Sequence, residues 1–166
     1  MPDPDDQPEF DTLAFRRALG EFATGITVVT ARTPEGRRVG LTVNSFNSVS
    51  LSPPLVLWSL ARHLPVMDDF LRCSHYAINV LASHQHPLSQ RFATRSEDKF
   101  VDLDVGEGIG GAPLLHGCCA WFECRNGIRH DGGDHVIFIG EVERFERGGG
   151  EPLIYHAGRY RYLSVD

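Results

Sequence analysis

The chain has 166 residues, 42% of them hydrophobic and 23% charged, with a formal net charge of -6. That size and balance suit one soluble globular domain, and the acidic excess excludes the clustered basic face that nucleic acid rewards. No apolar run reaches bilayer length and no basic-then-apolar leader is visible, so a cytoplasmic protein away from membranes is expected.

Residues 1–11 are rich in Pro and Asp and read as a flexible tail, leaving 12–166 as a single domain. Phe15, Ala18, Leu19 and Phe22 recur at helical spacing behind a cap at Asp11 or Thr12, predicting a helix that Gly25 ends. The β-branched stretch 26–31 reads as a strand, and Thr33-Pro34-Glu35-Gly36 as a turn into a second strand over 38–44. Strands over 49–51 and 55–60 flank a Ser52-Pro53-Pro54 corner. Helices are predicted at 65–71, with Pro65 in its first turn, and at 85–93, with a strand over 76–81 between them. Residues 102–112 read as a glycine-rich loop. The two longest strands span 115–125 and 135–147, joined by a connection over 126–134, and a short strand near 160–163 closes the chain. Many short strands with few helices point to a mainly β fold, a closed antiparallel barrel with helical excursions. Cys73, Cys118, Cys119 and Cys124 form no disulfide framework in a chain of this size and read as small buried hydrophobes.

Two segments carry the candidate chemistry. Residues 40–60 read Gly-Leu-Thr-Val-Asn-Ser-Phe-Asn-Ser-Val-Ser-Leu-Ser-Pro-Pro-Leu-Val-Leu-Trp-Ser-Leu. Strand alternation puts Leu41 and Val43 on one face and Thr42 and Asn44 on the other. Exposed backbone amides and small hydroxyl or amide side chains beside an apolar wall suit a flat heteroaromatic ring with acceptors on its rim. A Ser/Asn-rich bend that satisfies its own backbone has the same composition. The second segment, Asp131-Gly-Gly-Asp-His135 before Val-Ile-Phe-Ile, puts an imidazole at a strand mouth. Glycines there admit a ligand to the backbone, and an Asp could orient the ring; a structural His would look alike.

Two other patterns carry little. Residues 106–111 satisfy G-x-G-x-x-G, but that fingerprint needs a helix directly after it, and Pro113 opens a strand pattern instead. Cys124, His130, Asp134 and His135 have ligand chemistry without paired metal spacing, so no metal is expected.

The order Gly-x-Thr-x-Asn-Ser-Phe-x-Ser-Val-Ser-Leu-x-Pro-Pro-Leu over 40–55, together with Gly-Asp-His at 133–135, resembles the flavin reductase-like family of FMN-binding split barrels. Gln85, Leu88-Ser89, Phe92-Ala93, Lys99-Phe100 and Gly158-Arg-Tyr160 match further positions, and the resemblance covers residues 15–163. It implies an antiparallel, Greek-key-like barrel and an NAD(P)H:flavin oxidoreductase that moves hydride from NADH or NADPH to FMN or FAD. Such enzymes supply reduced flavin to a separate monooxygenase and usually pair as homodimers. By the same resemblance Thr42, Val43, Asn44, Ser45, Phe46 and Ser48 line the ring and ribityl chain, with Phe92 touching the ring. Ser59, Ala61 and Arg62 sit near the ribityl phosphate, where a guanidinium suits a phosphate. His135 positions the nicotinamide as the one candidate catalytic residue, and Tyr160 lies near the same pocket. Phe92 and Tyr160 read equally well as core aromatics. Residues 61–65 read Ala-Arg-His-Leu-Pro where the family often carries a Lys or Ser-rich turn, which puts the phosphate contacts in doubt. No basic pocket for a 2′-phosphate is evident, which favours NADH. A flavoprotein with tightly held FMN that reduces another acceptor, or a non-catalytic flavin carrier, stays open beside this reading.

Overall fold

The computed structural model describes residues 9–164; residues 1–8 of the expected tail lie outside them. The first helix, α1 (Thr12–Gly20), starts where the Asp11 carboxylate accepts the Leu13 and Ala14 N–H groups, both at 2.9 Å. It stops at Gly20, not Gly25, because the chain turns there into β1 (Thr24–Gly25). Its apolar stripe does not face the core: no α1 residue is buried, and Phe22 just beyond it is 79% exposed.

The main sheet follows with β2 (Thr27–Arg32), β3 (Arg38–Val43), β4 (Asn47–Leu51) and β5 (Pro54–Ala61). After α2 (Met67–Arg72) come β6 (His75–Val80) and α3 (His86–Ala93). The expected loop over 102–112 contains β7 (Val105–Glu107) and a 3-10 turn, and β7 pairs with β8 (Pro113–Leu115). The long pair is β9 (Ala120–Gly132) and β10 (His135–Arg147), and the chain ends with β11 (Ile154–His156) and β12 (Arg159–Arg161). Strand β11 was not foreseen; it lies between β1 and β12 in a small three-stranded sheet.

The expected connection over 126–134 is a correction. It is strand almost to its end, turned by Gly133 and Asp134 alone, with Gly133 at φ +69°. Its polar composition hid it, because the outer half of this hairpin is exposed and has no apolar face to show.

Seven strands pair antiparallel in the order β3-β2-β6-β9-β10-β5-β4. β3 and β4 are consecutive in the chain yet stand at opposite edges, so the barrel is split between them, not closed. Half of the backbone groups of an edge strand are left free of the ladder. The split therefore exposes main-chain donors and acceptors where residues 44–46 cross it.

Two cores flank β2, which is buried on both faces. Inside the barrel Trp58 stacks on Phe138 with centroids 4.6 Å apart and meets Phe70 and Tyr76 edge-on. Outside it, Phe92 of α3 packs with Val28, Leu81, Phe100 and Leu115. β5 and β10 alternate, with Val56, Trp58, Leu60, Val136 and Phe138 inward and residues such as Ser59 and His135 outward. Among the described residues no helix is long and apolar enough to cross a membrane.

Two carboxylates are buried in this framework, Asp69, which pairs with Arg37, and Glu123. Glu123 on β9 accepts the Ile109 N–H at 2.7 Å and both nitrogens of an Arg144 fork. Burial alone would raise its pKa, but the Arg144 guanidinium and the Ile109 N–H outweigh it, and the carboxyl lies below its ordinary range. A depressed folded-state pKa contributes stability above the unfolded value, and that contribution is lost as pH falls through the folded value. Glu123→Gln is therefore expected to flatten the acid side of the stability curve below about pH 4.5, measured by urea unfolding across pH. An acid limb as steep as that of the parent chain would show that Glu123 carries none of it.

Candidate active site at the barrel split

The end of β3, the crossing loop, the end of β5 and the start of β10 converge on one cleft of about 230 Å³. Of the residues singled out in the sequence, Thr42, Val43, Asn44, Ser45, Ser59, Ala61 and His135 all line it. Ala61 and His135 lie directly opposite each other in the β5–β10 ladder. Leu41, Leu60 and Leu64 supply the apolar part of the wall.

Not all of those polar groups are free for a ligand. The Ser45 hydroxyl accepts the Ser59 N–H at 2.9 Å and donates to the Ser59 carbonyl at 3.3 Å, pinning the crossing loop to β5. Thr42 donates its hydroxyl to the Ser89 carbonyl at 2.7 Å and fixes β3 against α3. What remains is the exposed Asn44 amide, the free edge of β3 and the Ser59 hydroxyl. That set, beside an apolar wall, fits a planar ring with polar edges.

His135 stands at the rim. Its Nδ1 lies 2.7 Å from the Asp134 Oδ1, which fixes the ring's orientation, and the imidazole holds the Asp134 carboxyl below its ordinary range. Asp134, which the sequence already sets beside His135, is the second residue of the two-residue turn.

A second cleft of about 200 Å³ shares Thr42, Val43 and Asn44 as a common wall. Tyr160 lines this neighbour, not the His135 cleft, and bonds the Ser89 hydroxyl at 2.9 Å. Its ring also lies 4.0 Å from His86 and 5.7 Å from Tyr155. Tyr155 was missed because its strand, β11, has three residues and gives no periodic signal.

Four expectations move. Phe92 belongs to the core: it is fully buried, T-shaped against Phe100, and a Cβ on Gly40 would lie 2.9 Å from its ring. Lys99 ties the carbonyls of Phe92 and Gly40 together at 2.7 and 3.2 Å, closing that side. Phe46 turns away from the cleft and stacks on Phe122 at 5.4 Å. Ser48 lies on the exposed edge strand β4 and lines neither cleft. Arg62 points past the cleft, donating Nε–H to the Gly133 carbonyl at 2.9 Å and pairing with Asp131.

The four thiols are all shifted toward the protonated form, Cys119 included, and three of them are buried. Burial pushes Cys73 up to about 11, and Cys118 and Cys124 up to about 12. The G-x-G-x-x-G run forms β7 and a 3-10 turn, with β8 following in place of a helix.

Residues 19–164 match the flavin reductase-like domain. The chain is 50% identical over 151 residues to the FMN reductase (NADH) SmoA of Agrobacterium fabrum, covering 91% of this chain and 86% of that protein. It is 43% identical over 145 residues to the reductase component of the flavin-dependent trigonelline monooxygenase of Acinetobacter baylyi, covering 87% of this chain but only 47% of the relative. Among solved structures, the Streptomyces globisporus NADH:FAD oxidoreductase SgcE6, in complex with NAD and FAD fragments, superposes with a TM-score of 0.88 at 37% identity. That match covers 99% of this chain and 96% of the other.

Proposed function

Because the chain belongs to the flavin reductase-like family, we propose that it is an NADH:flavin oxidoreductase, taking a flavin ring into the barrel split and handing reduced flavin to a separate monooxygenase. The observation that carries this reading is the convergence of Thr42, Val43, Asn44, Ser45, Ser59, Ala61 and His135 on one cleft. When bound, the flavin supplies the hydride acceptor, and the nicotinamide is itself a ready donor, so no proton relay is required of the protein.

The chain's own groups bind, align and exclude water. The Asn44 amide and the free β3 edge meet the polar rim of the ring, while Leu41, Leu60 and Leu64 keep water from one side. His135, fixed by Asp134, positions the nicotinamide over the other side. Holding two reactive partners in register accounts for most of the acceleration. A homodimer belongs to the same reading: Phe22 and, on edge strand β4, Leu51 are 79% and 96% exposed, and a second copy would cover them. A monomeric mass in sedimentation would discard that part.

Steady-state NADH oxidation with catalytic against excess free flavin tests the activity. A rate that rises with added flavin supports the diffusible substrate, a constant rate without it indicates tightly held FMN, and no oxidation indicates a carrier. His135→Asn is expected to lower kcat/KM for NADH about tenfold to hundredfold, chiefly through KM, with the flavin Kd within about twofold. Unchanged NADH kinetics with weakened flavin binding would remove His135 from the donor's side.

A further inference from the structure

Of the 16 lysines and arginines all but one are arginine, and Lys99 is the only lysine in the chain. Its Nζ bridges α3 and β3, donating to the Phe92 carbonyl at 2.7 Å and the Gly40 carbonyl at 3.2 Å. The backbone that carries it is fixed on both sides. Arg91 donates Nε–H to the Lys99 carbonyl at 2.7 Å, and the Asp98 carboxylate accepts the Phe100 N–H at 2.8 Å. Burial, with no carboxylate against it, holds the Lys99 amine below its ordinary range. An ammonium has three N–H groups to place, a neutral amine two and a lone pair. Two carbonyls satisfy the neutral form and leave its lone pair to the cavity that Lys99 lines.

That cavity, about 40 Å³, has a cationic wall. The Arg38 guanidinium lies 5.1 Å from the Phe100 ring centroid and pairs with no carboxylate among the described residues. Arg37, held by Asp69 at 2.7 Å, stands with exposed Ser96 and Glu97 at the mouth. The space admits a single oxyanion group and no nucleotide. A nucleophilic amine beside an unpaired guanidinium suits a reagent whose electrophilic carbon adjoins a phosphate. We propose that Lys99 is a modification site for acyl phosphates, with Arg38 holding the phosphate. Nζ attacks the acyl carbon and an N–C bond forms. The C–O bond to phosphate breaks, and phosphate leaves with the amine's proton. The amide that results keeps one N–H, so the carbonyl of Gly40 or of Phe92 loses its partner. Gly40 stands two residues before Thr42 on β3, so the modification loosens a wall of the ring cleft. That consequence rests on the flavin reductase reading; the modification itself does not.

The test treats the folded full chain with acetyl phosphate and follows Lys99 by peptide mass spectrometry, which separates it from the chain's α-amine. Lys99 should acetylate at least about tenfold faster than the same lysine in a synthetic peptide of residues 95–102. Arg38→Ala should remove most of that advantage, yet leave the rate with N-acetoxysuccinimide, an acyl donor without phosphate, within about twofold. A rate no faster than the peptide's, or an acetyl phosphate rate that Arg38→Ala leaves unchanged, overturns the site. Once acetylated, the chain should bind FMN about tenfold more weakly than the untreated chain. Equal affinity overturns the coupling to the cleft. Should neither form bind FMN or FAD, the flavin reading fails, and the site stands or falls on the acetylation rates alone.

Discussion

Ala61→Trp is expected to weaken flavin binding by at least about a hundredfold while leaving the fold intact. Ala61 sits at the end of β5, opposite His135 and half-exposed, with its side chain in the cleft and not in the core. An indole there competes for a space of about 230 Å³ and covers the Ser59 hydroxyl two residues away on the same strand face. A hundredfold corresponds to about 2.7 kcal/mol, within the range that steric exclusion from a preformed site commands. The measurement is the flavin Kd by fluorescence quenching, with thermal unfolding alongside as the control for the fold. Flavin binding undiminished in a folded variant would mean that the ring sits elsewhere, and the seven converging residues would lose their meaning. Ala61→Ser, which adds one small hydroxyl, should change the Kd by no more than a few fold and shows whether volume is the operative variable.

How much of this site could be read from the chain depends on the kind of signal each residue gives. Thr42 to Ser45 open a segment too polar for a strand buried on both faces, and His135 stands at a Gly-Gly-Asp corner, so they are visible in one dimension, whereas Ser59 and Ala61, in and at the end of an apolar strand, come only with the family resemblance. Phe46 and Phe92 mislead because an aromatic at a segment end reads the same whether it stacks on a ligand or fills a core. Only the second neighbour decides, Phe122 in one case and Phe100 in the other. Arg62 misleads through its partner: Asp131 lies sixty-nine residues away, and only the hairpin brings it near. The split itself is legible only as an omission, as β3 and β4 follow one another without pairing. Strand periodicity foretells elements well, but which strands become edges is decided by pairings between distant residues.

Trp58→Ala should cost about 3–5 kcal/mol, the range for deleting a large buried aromatic. Against a total stability of about 5–15 kcal/mol that leaves a marginal protein, and Tm should fall by roughly 6–20 °C. The argument rests on position. Trp58 is fully buried at the centre of the barrel, stacked on Phe138 and edge-on to Phe70 and Tyr76. Its removal strips three aromatic partners at once, on strands β6 and β10 and on helix α2, and no single neighbour can collapse into the void. Its indole N–H has no hydrogen-bond partner among the described residues, so the contribution is packing and not polar. Trp58→Phe keeps the stack and removes only that unpartnered group together with part of the volume, and should cost about 1.5 kcal/mol or less. A ratio near unity between the two variants in urea unfolding would show that the stack contributes little. The consequence reaches the site, because Trp58 is followed in β5 by Ser59 and then, two residues further, by Ala61. Loosening its anchor frees the strand that carries one wall of the cleft, so Trp58→Ala should weaken flavin binding even at temperatures where it stays folded. Flavin affinity equal to that of the parent chain would mean that the cleft is held by the ladder and the Ser45–Ser59 bonds alone, independent of the core beneath it.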